Sequence, residues 1–309
     1  MRLAVLDIGS NTVHLLIVDA HHGGAPLPES KMSRPLRLAE HLLADGSIDA
    51  EAADALVGFV AEGLRLAEDR GASEVMAFAT SAIRDASNGE SILARIAERT
   101  GQSVRILSGV DEARMTFLAV RRWFGWSTGR LLVLDIGGGS LEAGIGRDEE
   151  PDVAISLPLG AGRLTRSHLA GDPPSADTIR DLRRHVRTMI AGEAGRLLRS
   201  GTPSMAAATS KTFRQLARIA GAAPSSDGIY VRRTLTLAAV EGIVTKTAGM
   251  SARELADLPG VSQGRAGQLL AGAIVAEAAM DLLGIGELVI CPWALREGLI
   301  LNRMDGMPT

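Results

Sequence analysis

The sequence predicts an α/β protein built as two similar lobes. Three observations point there. The chain has 309 residues, enough for about two domains at roughly 150 residues each. Short apolar, β-branched runs alternate with longer stretches whose apolar residues recur at helical spacing. Finally, Leu3-Ala-Val-Leu-Asp-Ile-Gly9 returns as Leu131-Leu-Val-Leu-Asp-Ile-Gly137, with six of seven positions identical at an offset of 128 residues.

Each copy reads as a buried strand that ends in Asp-Ile-Gly, turns on small residues and enters a second apolar run. The first turns through Ser10-Asn11-Thr12 into Val13 to Val18; the second turns through Gly138-Gly139-Ser140 into Leu141 to Ile145. Strand, glycine turn and strand make a β-hairpin. Glycine there lets backbone N–H groups approach a ligand closely. An acid beside a phosphate-binding turn is chemically consistent if a divalent cation or a water lies between them. Two such hairpins suggest two lobes gripping one phosphate group.

The other elements follow in order. Residues 49–70 carry apolar side chains at helical spacing (Ala53, Leu56, Val57, Val60, Leu64, Ala67). Strands are expected at 74–79 and 104–107, then a helix at 111–124 entered through Ser108-Gly109. After the second hairpin come a strand at 153–157, a long helix at 175–198 and a strand at 205–208. The chain is then mostly helical, over 232–248, 251–258 and 263–283, before a strand at 287–290 and a helix at 294–302.

Composition narrows the function. Hydrophobic residues make up 46% and charged residues 22%, as in soluble globular proteins rather than disordered ones. The net charge of −3 disfavours sequence-independent coating of nucleic acid, which needs a basic excess. Basic side chains are 30 arginines and only three lysines, Lys31, Lys211 and Lys246. A single cysteine, Cys291, excludes an internal disulfide and a cysteine zinc cluster. Asp7 interrupts the N-terminal apolar run, so no export signal is expected, and no stretch has the length of a membrane span. The expectation is a cytoplasmic protein without membrane or nucleic-acid partners. Two decoys are set aside. Ser210-Lys211-Thr212 lacks the upstream glycines of a P-loop. Leu258-Pro-Gly-Val261 with Arg265-Ala266 has the look of a helix-hairpin-helix, against the charge balance.

Several motifs in order then resemble one family. These are Asp7-Ile-Gly-Ser-Asn11, Ala79-Thr-Ser-Ala-Ile-Arg84-Asp85-Ala86, Ile106-Leu-Ser-Gly109 with Glu112-Ala113, and Asp135-Ile-Gly-Gly-Gly-Ser140 with Glu142. Ser156-Leu-Pro-Leu-Gly160 with Arg163-Leu164, and Leu295-Arg-Glu-Gly298, extend the match. Together they resemble the exopolyphosphatase and guanosine-pentaphosphate phosphohydrolase (Ppx/GppA) family, in its short form without a helical C-terminal domain. The resemblance implies two ribonuclease-H-like lobes around a cleft, the fold of acetate kinase, sugar kinases and actin. It places the first lobe at 1–124 with the last helix (295–309) returning to it, and the second at 125–294.

The implied reaction is hydrolysis of a terminal phosphoanhydride, in which catalysis is mainly positioning and charge stabilisation. The resemblance makes Glu112 the base for the attacking water, in the first turn of its helix. Arg84 is the cationic clamp, since a guanidinium grips a phosphoryl group bidentately. Asp135 and Glu142, on the two arms of the second hairpin, are the candidate ligands for Mg²⁺ or another divalent cation, which favours one or two carboxylates plus waters and substrate oxygens; Asp7 is their counterpart in the first. Gly137, Gly138, Gly139 and Ser140 offer backbone donors from one side, and Ser10, Asn11 and Thr12 from the other. Lys211 is the strongest single cation beyond the hairpins. Further basic residues of the second lobe (Arg163, Arg166, Arg183, Arg184, Arg187, Arg214, Arg218) are candidates for a track along a polyanion. One departure stands out: the family's Gly-Gly-Thr turn is replaced by Ala208-Thr-Ser-Lys-Thr212, which favours a chain of phosphates over a nucleotide. The expected substrate is inorganic polyphosphate, with guanosine pentaphosphate (pppGpp) as the alternative; a non-catalytic nucleotide or polyphosphate sensor and a small-molecule kinase are readings of other classes. A homodimer would be compatible.

Overall fold

A computed structural model describes residues 1–307. In chain order the elements are β1 (Arg2–Ile8), β2 (Val13–Asp19), β3 (Pro28–Arg34), α1 (Ala50–Asp69), β4 (Glu74–Ala79), α2 (Ser81–Arg84), α3 (Gly89–Thr100), β5 (Arg105–Ile106) and α4 (Gly109–Phe124). There follow β6 (Leu131–Ile136), β7 (Leu141–Gly146), β8 (Val153–Leu157), α5 (Ala161–His168), α6 (Ala176–Arg199), β9 (Met205–Thr209) and α7 (Ser210–Ile219). The last are β10 (Thr234–Thr236), α8 (Leu237–Thr247), α9 (Ala252–Ala256), α10 (Leu269–Leu282), β11 (Glu287–Ile290) and α11 (Leu295–Asp305). The chain divides into two compact units, Met1–Met115 with the segment from Leu295, and Thr116–Ala294; the division falls inside α4.

The first unit has a five-stranded sheet in the order β3-β2-β1-β4-β5, with β1 antiparallel to β2 and parallel to β4. Side chains of a strand alternate between faces. In β1, Ala4, Leu6 and Ile8 enter the core beneath α1, while Leu3 and Val5 enter the core shared with α11. With both faces covered, the strand must be apolar throughout. The helix α1 starts where Asp49 accepts the Ala52 N–H, an N-cap that meets one orphan donor. Gly298 in α11 is required by packing, since a Cβ there would lie 1.8 Å from the Met115 carbonyl oxygen.

The second unit repeats the scheme in a six-stranded sheet, β10-β11-β9-β6-β7-β8. Leu132, Leu134 and Ile136 of β6 face the large helical core; Leu131 and Val133 face a smaller one with Phe117 and Cys291. The registers match those of the first unit: Ile8 pairs with Val13 and Asp7 with His14, while Ile136 pairs with Leu141 and Asp135 with Glu142. Among the described residues no helix is long and apolar enough to cross a membrane.

Some elements depart from expectation. The single helix expected over 232–248 is a strand, β10, followed by α8. Thr234-Leu-Thr alternates, pairs antiparallel with β11, and Thr236 caps α8 by accepting the Ala239 N–H. The expected helix 263–283 begins as a 3₁₀ segment, Gln263–Gln268. The edge strand β3 has no sequence signature, because Pro28-Glu-Ser-Lys-Met-Ser-Arg34 buries no side chain.

Arg121, at the end of α4, is fully buried. Its guanidinium donates to the Gly129 and Gly146 carbonyls, both at 2.9 Å, and to Thr128 Oγ1 at 2.8 Å. Burial lowers its pKa, with Asp148 opposing. One side chain therefore ties the α4 exit, the linker and the end of β7 together. We expect Arg121→Met, which orphans these buried acceptors, to destabilise the second unit by about 3 kcal/mol, read as a lower urea midpoint.

Candidate functional site

In the first unit the turn after β1 is held by its carbonyls. Ile8 O accepts from the Thr80 N–H at 3.2 Å, Ser10 O from the Ala39 N–H at 3.2 Å, and Asn11 O from the Arg37 N–H at 3.0 Å. With the carbonyls drawn back, the donors of the turn lie on its other side. Ser10 and Asn11 are nearly buried, and Ser10 Oγ lies 2.9 Å from Ser81 Oγ. Asp7 is within 3.7 Å of Arg296. Burial raises its pKa, Arg296 lowers it and Glu297 raises it again.

Ser108 caps α4 by accepting the Asp111 N–H at 3.1 Å, so Asp111 is occupied at the helix start while Glu112 stands one residue further in. Glu112 is 7% exposed. Its Oε1 accepts from Arg84 Nη1 at 2.5 Å, and the same nitrogen donates to Leu107 O at 2.8 Å. Thus the two residues expected to be base and clamp, 28 positions apart, form one contact. Asp85 is a looser neighbour of Arg84, at 3.5 Å.

The second unit uses the same device more strictly. Gly137 O accepts from the Ala161 N–H at 3.0 Å and Gly138 O from the Arg163 N–H at 2.9 Å. Gly139 O accepts from Arg163 Nε at 2.8 Å. All three carbonyls are therefore bound by the first turn of α5, and among the described residues no acceptor meets the Gly138 or Gly139 amides. A pair of such donors is an anion-binding nest. Gly160 permits this: a Cβ there would lie 2.2 Å from Gly139 C and 2.3 Å from Ser140 N.

Asp135 and Glu142 stand directly opposite each other in the β6–β7 register. Carboxylates in that relation repel unless a cation intervenes. Glu142 is 6% exposed and accepts from Ser156 Oγ at 2.8 Å. The equivalent pair in the first unit is Asp7 and His14, so only the second hairpin presents two acids. Among the described residues no cluster of three or more His, Cys, Asp or Glu could hold a metal alone. Two carboxylates leave the remaining positions to water and substrate oxygens, as Mg²⁺ prefers.

Lys211 sits in the first turn of α7, after Ser210, whose φ of +84° is the left-handed conformation. Burial, then Arg265 and Arg214, hold Lys211 below the ordinary lysine range. Arg265 is pushed down to about 10, first by burial and then by Arg214, while Asp135 pulls it up. Arg265 thus lies in the electrostatic neighbourhood of the second hairpin. It was absent from the sequence expectations, because its segment reads as a misplaced helix-hairpin-helix. The basic face of α6 is a different case. Arg183 pairs with Glu277, Arg187 with Asp281 at 2.7 Å, and Arg184 with Asp181 at 3.1 Å. Those arginines are neutralised locally.

The family model of the Ppx/GppA phosphatase family matches residues 17–306. The chain is 53% identical to a Mycobacterium tuberculosis protein named exopolyphosphatase 1, over 305 residues covering 99% of this chain and 89% of that one. It is 52% identical to the Mycobacterium leprae protein of the same name, covering 99% and 90%. Among solved structures, an exopolyphosphatase from Cytophaga hutchinsonii superposes with a TM-score of 0.88 at 24% identity, covering 100% and 99% of the two chains. The Aquifex aeolicus member of the Ppx/GppA family gives 0.82 at 22% identity, again covering 100% and 99%.

The packing of α5 on the glycine turn is directly testable. Gly160→Ala forces a methyl into the Gly139–Ser140 backbone and is expected to cost about 3 kcal/mol, measured as a loss of stability by chemical denaturation. Ala161→Gly, which removes a methyl beside the turn without entering it, is expected to shift the same midpoint less.

Proposed function

The chain belongs to the Ppx/GppA phosphatase family, an actin-like fold of two α/β lobes, and on that membership we propose that it is an exopolyphosphatase. It would release orthophosphate from the end of inorganic polyphosphate. The observation that carries this reading is the Arg84–Glu112 contact, nearly buried at the head of α4. A buried carboxylate that an arginine orients is what a water-activating base requires, and a sensor would need neither.

On this reading the attacking water gives a proton to Glu112 as its oxygen bonds to the terminal phosphorus. The bond from that phosphorus to the bridging oxygen breaks, and the electron pair leaves with the shortened chain. Arg84 orients Glu112 through one nitrogen, and its guanidinium charge is suited to the phosphoryl oxygens. Within the second unit the amides of Gly138 and Gly139, with Ser140, can donate to phosphate oxygens, and within the first unit Ser10, Asn11 and Thr12 offer donors of the same kind. Asp135 and Glu142 would hold a divalent cation, whose bound charge offsets that developing on the phosphoryl oxygens. Asp7, already beside Arg296, serves better to position water than to ligate metal. Lys211 and Arg265 receive the following phosphates.

Polyphosphate is favoured over pppGpp because Lys211 stands where the nucleotide-side turn would have glycine, adding a cation and removing backbone access. A reaction in the cytoplasm fits the lone buried Cys291. The test is phosphate release from polyphosphate and from pppGpp, each with Mg²⁺ and with chelator. We expect activity on polyphosphate that needs the divalent ion. Glu112→Gln should lower kcat by about 10²- to 10⁴-fold with the fold intact by circular dichroism. Full metal-independent activity, or wild-type kcat in Glu112→Gln, would contradict the assignment.

A further inference from the structure

The chain has three tryptophans and a single tyrosine, and three of these four rings pack together in the second unit. Trp123 lies near the end of α4, Trp293 follows β11, and Tyr230 lies in the strap between α7 and β10. Tyr230 stacks on Trp123, with ring centroids 5.5 Å apart and planes 17° from parallel, and Trp123 meets Trp293 edge-on at 5.1 Å. Apolar side chains scattered singly over a surface need no explanation, whereas a cluster of exposed ones marks a place of contact. Tyr230 is 82% exposed, and its chain neighbours Ile229 and Val231 are exposed with it.

Beside the stacked pair opens a cavity of about 590 Å³, a volume within the roughly 300–1,000 Å³ of small-molecule sites. Trp123, Met205 and Tyr230 supply apolar wall, and Ser127, Ser204 and Arg232 supply polar groups. Apolar walls with a few polar groups are the composition expected of a site for an organic ligand. Arg232 is the one charged residue of this lining. Its acidic neighbour, Glu287, approaches only to 3.9 Å and does not line the cavity.

The strap that presents Tyr230 is held by its own carbonyls. Arg233 Nε donates to Ala223 O at 2.8 Å, Nη1 to Gly228 O at 3.1 Å and to Val231 O at 2.9 Å, and Nη2 to Pro224 O at 2.5 Å. Arg233 O in turn accepts the Ile290 N–H at 2.8 Å, which ties the strap to the sheet. The backbone is thus fixed on both sides of Tyr230. An aromatic ring presented this way loses little conformational entropy when a ligand covers it.

The lining also selects the ligand. Near-parallel rings with an open face favour a flat π-system. One guanidinium balances one negative charge, and its planar fork matches a carboxylate. A phosphate dianion would call for further cations, and the lining has none. We propose that this cavity is a binding site for a planar aromatic carboxylate, whose ring lies on the Tyr230–Trp123 stack and whose carboxylate pairs with Arg232. The Ser127 and Ser204 hydroxyls meet polar groups at the ring edge. The site goes beyond the hydrolytic reading and does not rest on it.

The test is calorimetric titration with naphthoate as the probe, on wild type, Tyr230→Ala, Tyr230→Phe and Arg232→Met, with thermal melting as a check on folding. Chelator is present throughout, so that no metal-dependent binding contributes. Wild type should bind naphthoate saturably, and acetate, which has the charge without the ring, should not bind. Tyr230→Ala should weaken naphthoate about tenfold or more, while Tyr230→Phe, which keeps the ring, should stay within about twofold. Arg232→Met should weaken naphthoate about tenfold and leave naphthylmethanol, the uncharged analogue, within about twofold of its wild-type value. No saturable binding of naphthoate, or equal affinity in wild type and Tyr230→Ala, would overturn the proposal. Tighter binding of AMP than of naphthoate would overturn the carboxylate assignment. Sedimentation that shows a wild-type dimer and a Tyr230→Ala monomer would also overturn it, by showing that a second copy of the chain covers this face.

Discussion

In each unit the carbonyls of one tight turn are drawn inward by hydrogen bonds, and the placement of the other site residues depends on that constraint. A turn after a buried strand has both donors and acceptors to satisfy. Here the acceptors are bound from behind, by Thr80, Arg37 and Ala39 in one unit and by Ala161 and Arg163 in the other. Donors are then what remains to face a ligand. The strand that delivers each turn carries an aspartate next to its last residue, Asp7 or Asp135, in register with the second strand of the hairpin. The amides proposed to bind anion and the carboxylate proposed to bind metal thus come from one piece of backbone.

The two copies have diverged in a chemically readable way. Opposite its aspartate the first hairpin has His14, and the second has Glu142. Asp7 is balanced by Arg296 from α11, while Asp135 shares its surroundings with Glu142 and Arg265. The strand-to-helix turns also differ: Thr80-Ser81 leads to Arg84, and Thr209-Ser210 leads to Lys211. The same hairpin thus recurs in both units with different charges placed around it, and the proposed function uses the first unit's for water activation and the second's for cation and phosphate binding.

Much of this was legible in the sequence where local pattern decides. The hairpins were visible because both faces of β1 and β6 are buried, which makes their residues apolar without interruption. The roles of Glu112 and Arg84 came through the family resemblance, since no periodicity links residues 28 positions apart. What stayed hidden is tertiary charge pairing. Arg183 and Arg187 looked like a polyanion track from α6 alone, and their acids, Glu277 and Asp281, lie on α10. Arg265 stood in a segment read as a decoy. The net charge of −3 gave no hint that arginines are neutralised along α6. β10 was lost to a helical reading because three residues are too few for an alternating signal to outweigh the helix that follows.

In the proposed hydrolysis Glu112 and Arg84, in contact at the head of α4, act in one chemical step. A double-mutant cycle on kcat for polyphosphate, using Glu112→Gln, Arg84→Met and the pair, tests this most directly. Residues that act as a unit are strongly non-additive. The account predicts that the double variant is about as slow as the slower single variant. Multiplied effects of the two substitutions would contradict it.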